Sequence, residues 1–342
     1  MKVSIKTISE ATGFSPATVS NALNHKPGVN ARTAEKVLAT AKSLGYFTER
    51  ESRVSKIKFV IYKRNGVIVE DTPFFQIMTA GAEAECRAHG LEMVLYNLDR
   101  RDANFEDQLR WIQNDKSAAV ILLGTEMLEE DSDMIRGLSV PFVVIDFWNE
   151  GMTYNSVLIN NADSARIATE YLIHKGHREI GYLRGDFRIK PFLNRASGYR
   201  SALRRARIPL CEDYIVTLRT TIDGAYEDMK KHLEKRIPLP TAFFADNDMI
   251  ALGAMKAMAD FGIRIPEDVS VIGFDDLPFS SVSTPPLTTL RVPKQDMGRV
   301  AVRRIIEIME NGGDLCLKQQ VIPSFIERKS VKTLNADEEL QG

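Results

Sequence analysis

The sequence predicts an α/β chain in two parts. A small all-α module with a helix-turn-helix comes first, followed by a two-lobed body with a parallel sheet in each lobe. Three observations carry this. The first 47 residues hold three short helical patterns and no strand signal. From residue 57 onward, apolar runs alternate with amphipathic helical patterns, as in a parallel sheet covered on both faces. Residues 57–334 are too many for one small sheet, and the strand series breaks near Asn160-Asn161, which divides the body into two similar lobes with a cleft between them.

In the N-terminal module, Ser4 is a candidate N-cap for a helix with Ile5, Ile8 and Ala11 on one side, and Gly13 breaks it. Ser15-Pro16 starts a second helix, with Ser as cap and Pro where its missing N–H costs nothing. Val19, Ala22 and Leu23 give that helix an apolar side. Asn30 opens a third, whose core face is Ala34, Val37, Leu38 and Ala41, and Gly45 is placed to end it. The first two helices are joined only by Thr12-Gly13-Phe14, the short glycine-containing turn of a helix-turn-helix. On that reading the second helix enters a DNA major groove. Pro16, Ala17, Thr18, Ser20, Asn21 and Asn24 are its candidate DNA contacts, with Asn suited to adenine and Ala or Pro to a thymine methyl. Thr7, Ser15, His25 and Arg32 are candidate phosphate contacts. The same pattern also fits an ordinary three-helix bundle with a solvated polar face.

Bulk properties narrow the class. The 342 residues are 44% hydrophobic and 27% charged, an ordinary soluble composition. There is no apolar run long enough for a membrane span and no apolar leader after Met1, so a cytoplasmic protein is expected. Cys86, Cys211 and Cys316 are far apart and lack metal-ligand spacing, so reduced thiols and no metal are expected. The net charge of −1 hides an asymmetry: residues 1–56 carry nine Lys/Arg against four Asp/Glu, and the rest of the chain is acidic. A basic module on an acidic body is a weak pointer to nucleic acid.

The run Thr7-Ile8-Ser9-Glu10-Ala11-Thr12-Gly13-Phe14-Ser15-Pro16-Ala17-Thr18-Val19-Ser20-Asn21-Ala22-Leu23-Asn24 makes the pattern specific. It resembles the signature of the LacI/GalR repressor family, and Val29-Asn30-Ala31-Arg32-Thr33 and Leu44-Gly45-Tyr46 continue the match. In that family the next segment usually carries Pro-Asn and an Ala-Arg-x-Leu run that folds into a hinge helix and wedges a leucine into the minor groove. Here Thr48-Glu49 stand at the Pro-Asn position, Ser52-Arg53 at the Ala-Arg, and Ser55 at the leucine. Arg53 remains a candidate minor-groove contact and Val54 the one candidate wedge, while a plain tether fits segment 48–56 equally well.

In the body, strands are expected at 57–62, 93–96, 119–123, 142–145, 179–183, 242–245 and 270–274. Helices are expected at 75–89, 105–114, 162–175, 196–207, 223–234 and 249–261. The resemblance runs on through Gly176-His177-Arg178, Arg195-Ala196-Ser197-Gly198-Tyr199, Ala245-Asp246-Asn247-Asp248, Gly273-Phe274-Asp275-Asp276 and Pro285-Pro286-Leu287-Thr288-Thr289. It implies the two-lobed periplasmic-binding-protein-like fold. It also implies a first lobe of 57–160 and 291–322, a second of 161–290 and 323–334, crossings near Asn160, Arg291 and Pro323, and a polar tail at 335–342.

Ligands of such sheets bind beyond the carboxyl ends of the strands. Asp146, Asn247 and Asp275 follow strands in that way, Arg195 lies in the loop before a helix, and Phe74-Phe75 follow the first strand's loop. By analogy they line an effector pocket, where Asp, Asn and Arg hold hydroxyls and Trp148, Phe147, Phe187 or Phe192 covers a sugar ring. Asp275 and Arg195 also fit a structural ion pair, and Phe74 and Phe75 also fit a core.

No nucleotide-binding, nucleophile-elbow or zinc-protease motif is present, so no enzyme and no cofactor are expected. The expectation is a repressor that binds a pseudo-palindromic operator as a homodimer under control of a small molecule. A sugar or glycoside is the first choice, with a nucleobase or other polar metabolite as the alternative.

Overall fold

The computed structural model describes residues 4–23, 29–44, 55–70, 72–151, 153–311 and 315–334. The chain divides into two units, Met1–Ser55 and Lys56–Gly342. The first holds α1 (Ile5–Thr12), α2 (Pro16–Leu23) and α3 (Ala31–Ser43). Ser4 and Thr7 form a reciprocal cap on α1, and Gly13 closes it in the left-handed conformation at φ 74°. Ser15 Oγ accepts from Thr18 N at 3.1 Å and Asn30 Oδ1 from Thr33 N at 2.8 Å, which caps the next two helices. Ile8, Val19, Ala22, Val37 and Ala41 make the buried core of this unit.

In the second unit the elements run β1 (Lys56–Lys63), α4 (Phe74–Ala88), β2 (Glu92–Asp99), α5 (Phe105–Asn114), β3 (Ala118–Leu123), α6 (Asp133–Arg136), β4 (Phe142–Ile145) and β5 (Ser156–Ile159). There follow α7 (Asn161–His174), β6 (Ile180–Gly185), α8 (Lys190–Arg205), β7 (Ile215–Leu218), α9 (Ile222–Glu234), β8 (Ala242–Ala245), α10 (Asp248–Asp260) and β9 (Ser270–Ile272). The last are α11 (Pro278–Val282), β10 (Thr289–Arg291), α12 (Lys294–Asn311), β11 (Lys318–Val321) and β12 (Ser324–Ile326).

The strands form two parallel sheets, of order β11-β5-β4-β3-β1-β2 and β7-β6-β8-β9, and a short antiparallel pair β10-β12. Each large sheet is the centre of a lobe. In the first, β3 is buried along its whole length, as a strand covered on both faces must be. The chain leaves the first sheet after Ile159, returns between Arg291 and Lys294, and leaves again after Val321. Gly81 and Gly298 let α4 and α12 touch: a Cβ at Gly298 would lie 2.2 Å from the Met78 carbonyl oxygen.

Two expectations are corrected here. Helix α8 begins at Lys190, ahead of the expected 196, because Pro191 fits the first turn. Strand β9 stops at Ile272, because Gly273 N is taken by the Thr288 carbonyl at 2.9 Å. Five short strands, β5, β7, β10, β11 and β12, and helices α6, α11 and α12 lie outside the expected elements.

Candidate functional site

On α2 the inward face is closed by Val19 and Ala22, so Pro16 and Ala17 are exposed and Ser20 and Asn21 half-buried on the opposite side. Pro16, Ala17, Ser20 and Asn21 fall within one face of a helix, which is the geometry a groove-reading helix needs. Thr7 and Ser15 spend their hydroxyls within the helix caps, and Thr18 Oγ1 lies 2.8 Å from Ser15 Oγ. Asn24, His25 and Arg53 lie outside the described residues, as does the side chain of Arg32 within α3.

Between the two lobes lies a cavity of about 500 Å³ including its open mouth. The first lobe contributes Val67, Ile68, Phe74, Phe75, Thr125 and Asp146 to its walls. The second contributes Phe192, Arg195, Thr220, Asn247, Met249 and Asp275. The aromatic side is a pair, Phe74 and Phe75, whose ring centres are 5.1 Å apart in an edge-to-face arrangement. The polar side comes from strand ends. Asn247 caps α10 by accepting from Ile250 N at 3.0 Å, and Thr125 Oγ1 donates to Asp146 Oδ2 at 2.9 Å.

Asp146 and Asp275 hold positive φ, 64° and 111°, a conformation that costs a non-glycine residue about 1–3 kcal/mol. The surroundings enforce it at the second position. Lys294 Nζ donates to the Asp275 and Asp276 carbonyls, and the Asp276 carboxylate is held by Arg291 and Arg328, both at 2.6 Å. Arg195 is pinned too: Nε donates to Asn161 Oδ1 at 2.8 Å, Nη1 to the Asp246 carbonyl, and its guanidinium lies 3.6 Å from the centre of the Phe274 ring.

Burial pushes the Asp146 carboxyl up to about 7, with the Arg195 charge pulling the other way. It raises Asp275 as well, again opposed by Arg195 and by Lys294. Asp248, under the floor, is raised to about 7 by burial and by repulsion from Asp275. Burial thus works against ionisation of all three carboxyls, and the Arg195 charge opposes it at Asp146 and Asp275.

A wall of the cavity depends on one buried side chain. Glu126 Oε2 accepts from the backbone N–H groups of Arg64, Asn65 and Gly66, at 2.9, 3.1 and 2.8 Å. Its Oε1 accepts from Ile68 and Val69, at 2.8 and 3.2 Å. One carboxylate thereby fixes the loop that carries Val67 and Ile68.

Comparison with known proteins matches this geometry. Residues 4–49 fit the model of the bacterial regulatory proteins of the lacI family, and residues 169–331 that of the periplasmic binding protein-like domain. The HTH-type transcriptional repressor PurR of Vibrio atlanticus is 31% identical over 97% of this chain and 99% of its own. The chain belongs to the LacI family. The ribose operon repressor of Haemophilus influenzae is 28% identical over 96% of this chain and 99% of its own. Among solved structures, a CelR–cellobiose complex superposes with TM-score 0.72 at 25% identity, covering 96% of this chain and 99% of that one. The lac repressor dimer bound to operator shares the fold, with TM-score 0.71 at 23% identity over 97% and 100%.

As a LacI-family member the chain is a DNA-binding transcription repressor with an effector-binding domain, not an enzyme. The structure brings Phe74, Phe75, Asp146, Phe192, Arg195, Asn247 and Asp275 to one cavity. The loop expected for Arg195 is corrected: it lies inside α8, one turn beyond the start that Pro191 sets. Its pairing with Asp275, at 3.3 Å, exists within the cavity wall, so bridge and pocket are the same arrangement. Phe147 is corrected as well. It is 1% exposed and packs with Met127 and Val144 in the first lobe's core, because the left-handed turn at Asp146 redirects the chain there. Phe187 is not part of the lining, and Trp148 lines an adjoining pocket instead. Thr125 and Thr220 were missed. Thr125 follows β3 by two residues, as a strand-end rule would have found, whereas Thr220 follows β7, a strand the sequence hid.

Proposed function

We propose that this LacI-family repressor binds a pseudo-palindromic operator as a homodimer through α2, and that a sugar or glycoside held between its lobes changes operator affinity. The observation that carries the effector class is the pairing of two surfaces across one cavity. Phe74, Phe75 and Phe192 offer faces and edges to C–H groups, while Asp146, Arg195, Asn247 and Asp275 offer hydrogen-bond partners to hydroxyls. Cellobiose is bound by one similar regulator, and ribose is named for another relative. Because the partners sit on both lobes, a bound ligand favours one arrangement of the lobes over others, and only that differential affinity can shift operator binding.

A nucleobase is the second reading, favoured by the apolar share of the lining: Val67, Ile68, Ile159, Ile189 and Met249 suit a flat ring. The test is fluorescence anisotropy on DNA from beside the protein's own gene, at two salt concentrations, with and without sugars and nucleobases. Specific binding altered by a sugar supports the proposal. Specific binding altered only by a nucleobase replaces the effector class, and loss of all specific binding refutes the operator reading.

A further inference from the structure

Away from the three crossings, one ion pair joins the two lobes among the described residues: Lys190 Nζ meets Glu129 Oε1 at 2.8 Å. Lys190 is the first residue of α8, in the second lobe. Glu129 opens a short turn, Glu129–Asp131, between β3 and α6 of the first. Lys190 Nζ also lies 4.8 Å from the centre of the ring of Trp148, which the first lobe carries on the loop after β4. A carboxylate and an aromatic face of one lobe thus make a seat for a cation of the other.

Both sides of this contact are tied to the walls of the effector cavity. Lys190 sits between Ile189 and Pro191, which line that cavity. On the other side the turn is braced from two directions. Ser132 Oγ donates to the Glu129 carbonyl at 2.6 Å and accepts from Asn149 Nδ2 at 3.0 Å, which ties the turn to the loop bearing Trp148. Arg64 Nη1 donates to Asp131 Oδ2 at 2.7 Å, and the Arg64 backbone N–H is one of those gathered by Glu126. The loop that carries Val67 and Ile68 and the turn that carries Glu129 are therefore braced together.

We propose that Glu129 and Lys190 are positioning residues of the switch: their ion pair is a clasp that holds the lobes together before any effector arrives. The side chains are 58% and 22% exposed, so the pair shifts the balance between closed and open lobes by no more than a few-fold. A contact of that size biases the balance without locking it. Lys318 of the first lobe sharpens the need for Glu129. Its Nζ lies 3.4 Å from the centre of the same Trp148 ring, and burial, then the Lys190 charge, lowers its proton affinity. Without Glu129, the two lysines push the lobes apart. A ligand that binds only the closed arrangement has its apparent affinity reduced by the fraction of closed molecules. The clasp raises that fraction, and so sets the concentration at which the effector acts, whatever class of small molecule the effector is.

The test is a double-substitution cycle in the full-length protein without effector, read by the rate of thiol labelling. Asn194, half-buried between the lobes in a pocket it shares with Trp148 and Lys190, is replaced in Asn194→Cys, and its modification by a bulky maleimide is followed by mass spectrometry. Opening precedes reaction, so the rate scales with the open fraction. Cys316 is exposed and serves as the reference thiol, while Cys86 is buried and reacts only on unfolding. Glu129→Gln is expected to speed labelling at position 194 by about two- to fivefold with Lys190 in place, and to leave the rate unchanged in the Lys190→Gln background, with Cys316 constant throughout. A variant in which Cys86 reacts has lost its fold, and Glu129→Ala or Lys190→Met then completes the cycle. An unchanged rate in Glu129→Gln overturns the proposal, because the pair is then idle. An equal gain in both backgrounds overturns it too, because Glu129 then acts through something other than Lys190.

Discussion

Arg195 Nη2 stands 3.3 Å from Asp275 Oδ1 with both side chains almost wholly buried, and the same two groups face the space between the lobes. A buried pair at a cavity wall has spare valence: the guanidinium is held by Asn161 and the Asp246 carbonyl, which leaves an Asp275 oxygen for a ligand hydroxyl. Asp275→Asn keeps the shape but removes the charge. It is expected to weaken effector binding about ten- to a hundredfold, as loss of a charge-assisted hydrogen bond does, while operator affinity without effector stays within about twofold. Calorimetry for the effector and anisotropy for DNA check the two halves separately.

On the other unit, Asn21 shares a face of α2 with Pro16 and Ala17. Asn21→Ala removes the proposed base partner without touching Val19 or Ala22 in the core. Operator binding should fall by about 1–3 kcal/mol, with thermal stability and effector binding unchanged. An equal loss on all DNA sequences would instead make Asn21 a phosphate contact.

Loop 64–69 owes its shape to Glu126, so the variant Glu126→Gln separates charge from size. Five backbone N–H groups converge on two carboxylate oxygens, and an amide offers one acceptor oxygen and turns its own N–H groups toward donors. A loss of about 3 kcal/mol in stability is expected, seen as a lower urea midpoint, together with faster hydrogen exchange at Arg64 to Val69 and weaker effector binding through Val67 and Ile68. Unchanged exchange in that loop would show that other contacts suffice to hold it.

The ease with which parts of this molecule were read follows from where each part gets its stability. Asp146, Asn247 and Asp275 stand at the ends of apolar strand runs, and a run of that kind advertises both the strand and the residue after it. Strand β11, Lys-Gln-Gln-Val, gives no such signal: it lies at the sheet edge, half exposed, and needs no apolar run. Helix α12 places a charged residue, Arg304, in its buried stripe beside Ala301 and Ile305, where it bonds Asn155 at 2.8 Å. Such a charge hides the stripe until its distant partner is known. The same is true of Glu126 and Lys294, whose partners are remote in sequence or are backbone atoms. The signature of the first unit is legible because its turn and caps are local: the cap bonds from Ser4, Ser15 and Asn30 each reach only three residues along the chain.

The raised carboxyl of Asp146 makes a pH dependence with a definite sign. Its value is about 7 in the folded chain, against an ordinary 3.8, and burial is the main cause. Between those two values the folded state holds a proton that the unfolded state has released. The contribution of this group to stability is therefore fully present below pH ~4 and is lost as pH rises through ~7. At pH 8 the loss approaches about 4 kcal/mol as an upper bound, from a shift of roughly three units at 1.36 kcal/mol each. Asp146→Asn is neutral throughout, so the stability of the variant relative to wild type should rise from pH ~4 and level off above pH ~7, measured by urea unfolding from pH 4 to pH 8. The difference isolates this site from the other titrating groups. A difference that stays flat would mean that Asp146 is ionised in the folded chain, with the Arg195 charge outweighing burial, and effector binding would then carry no proton uptake at this position.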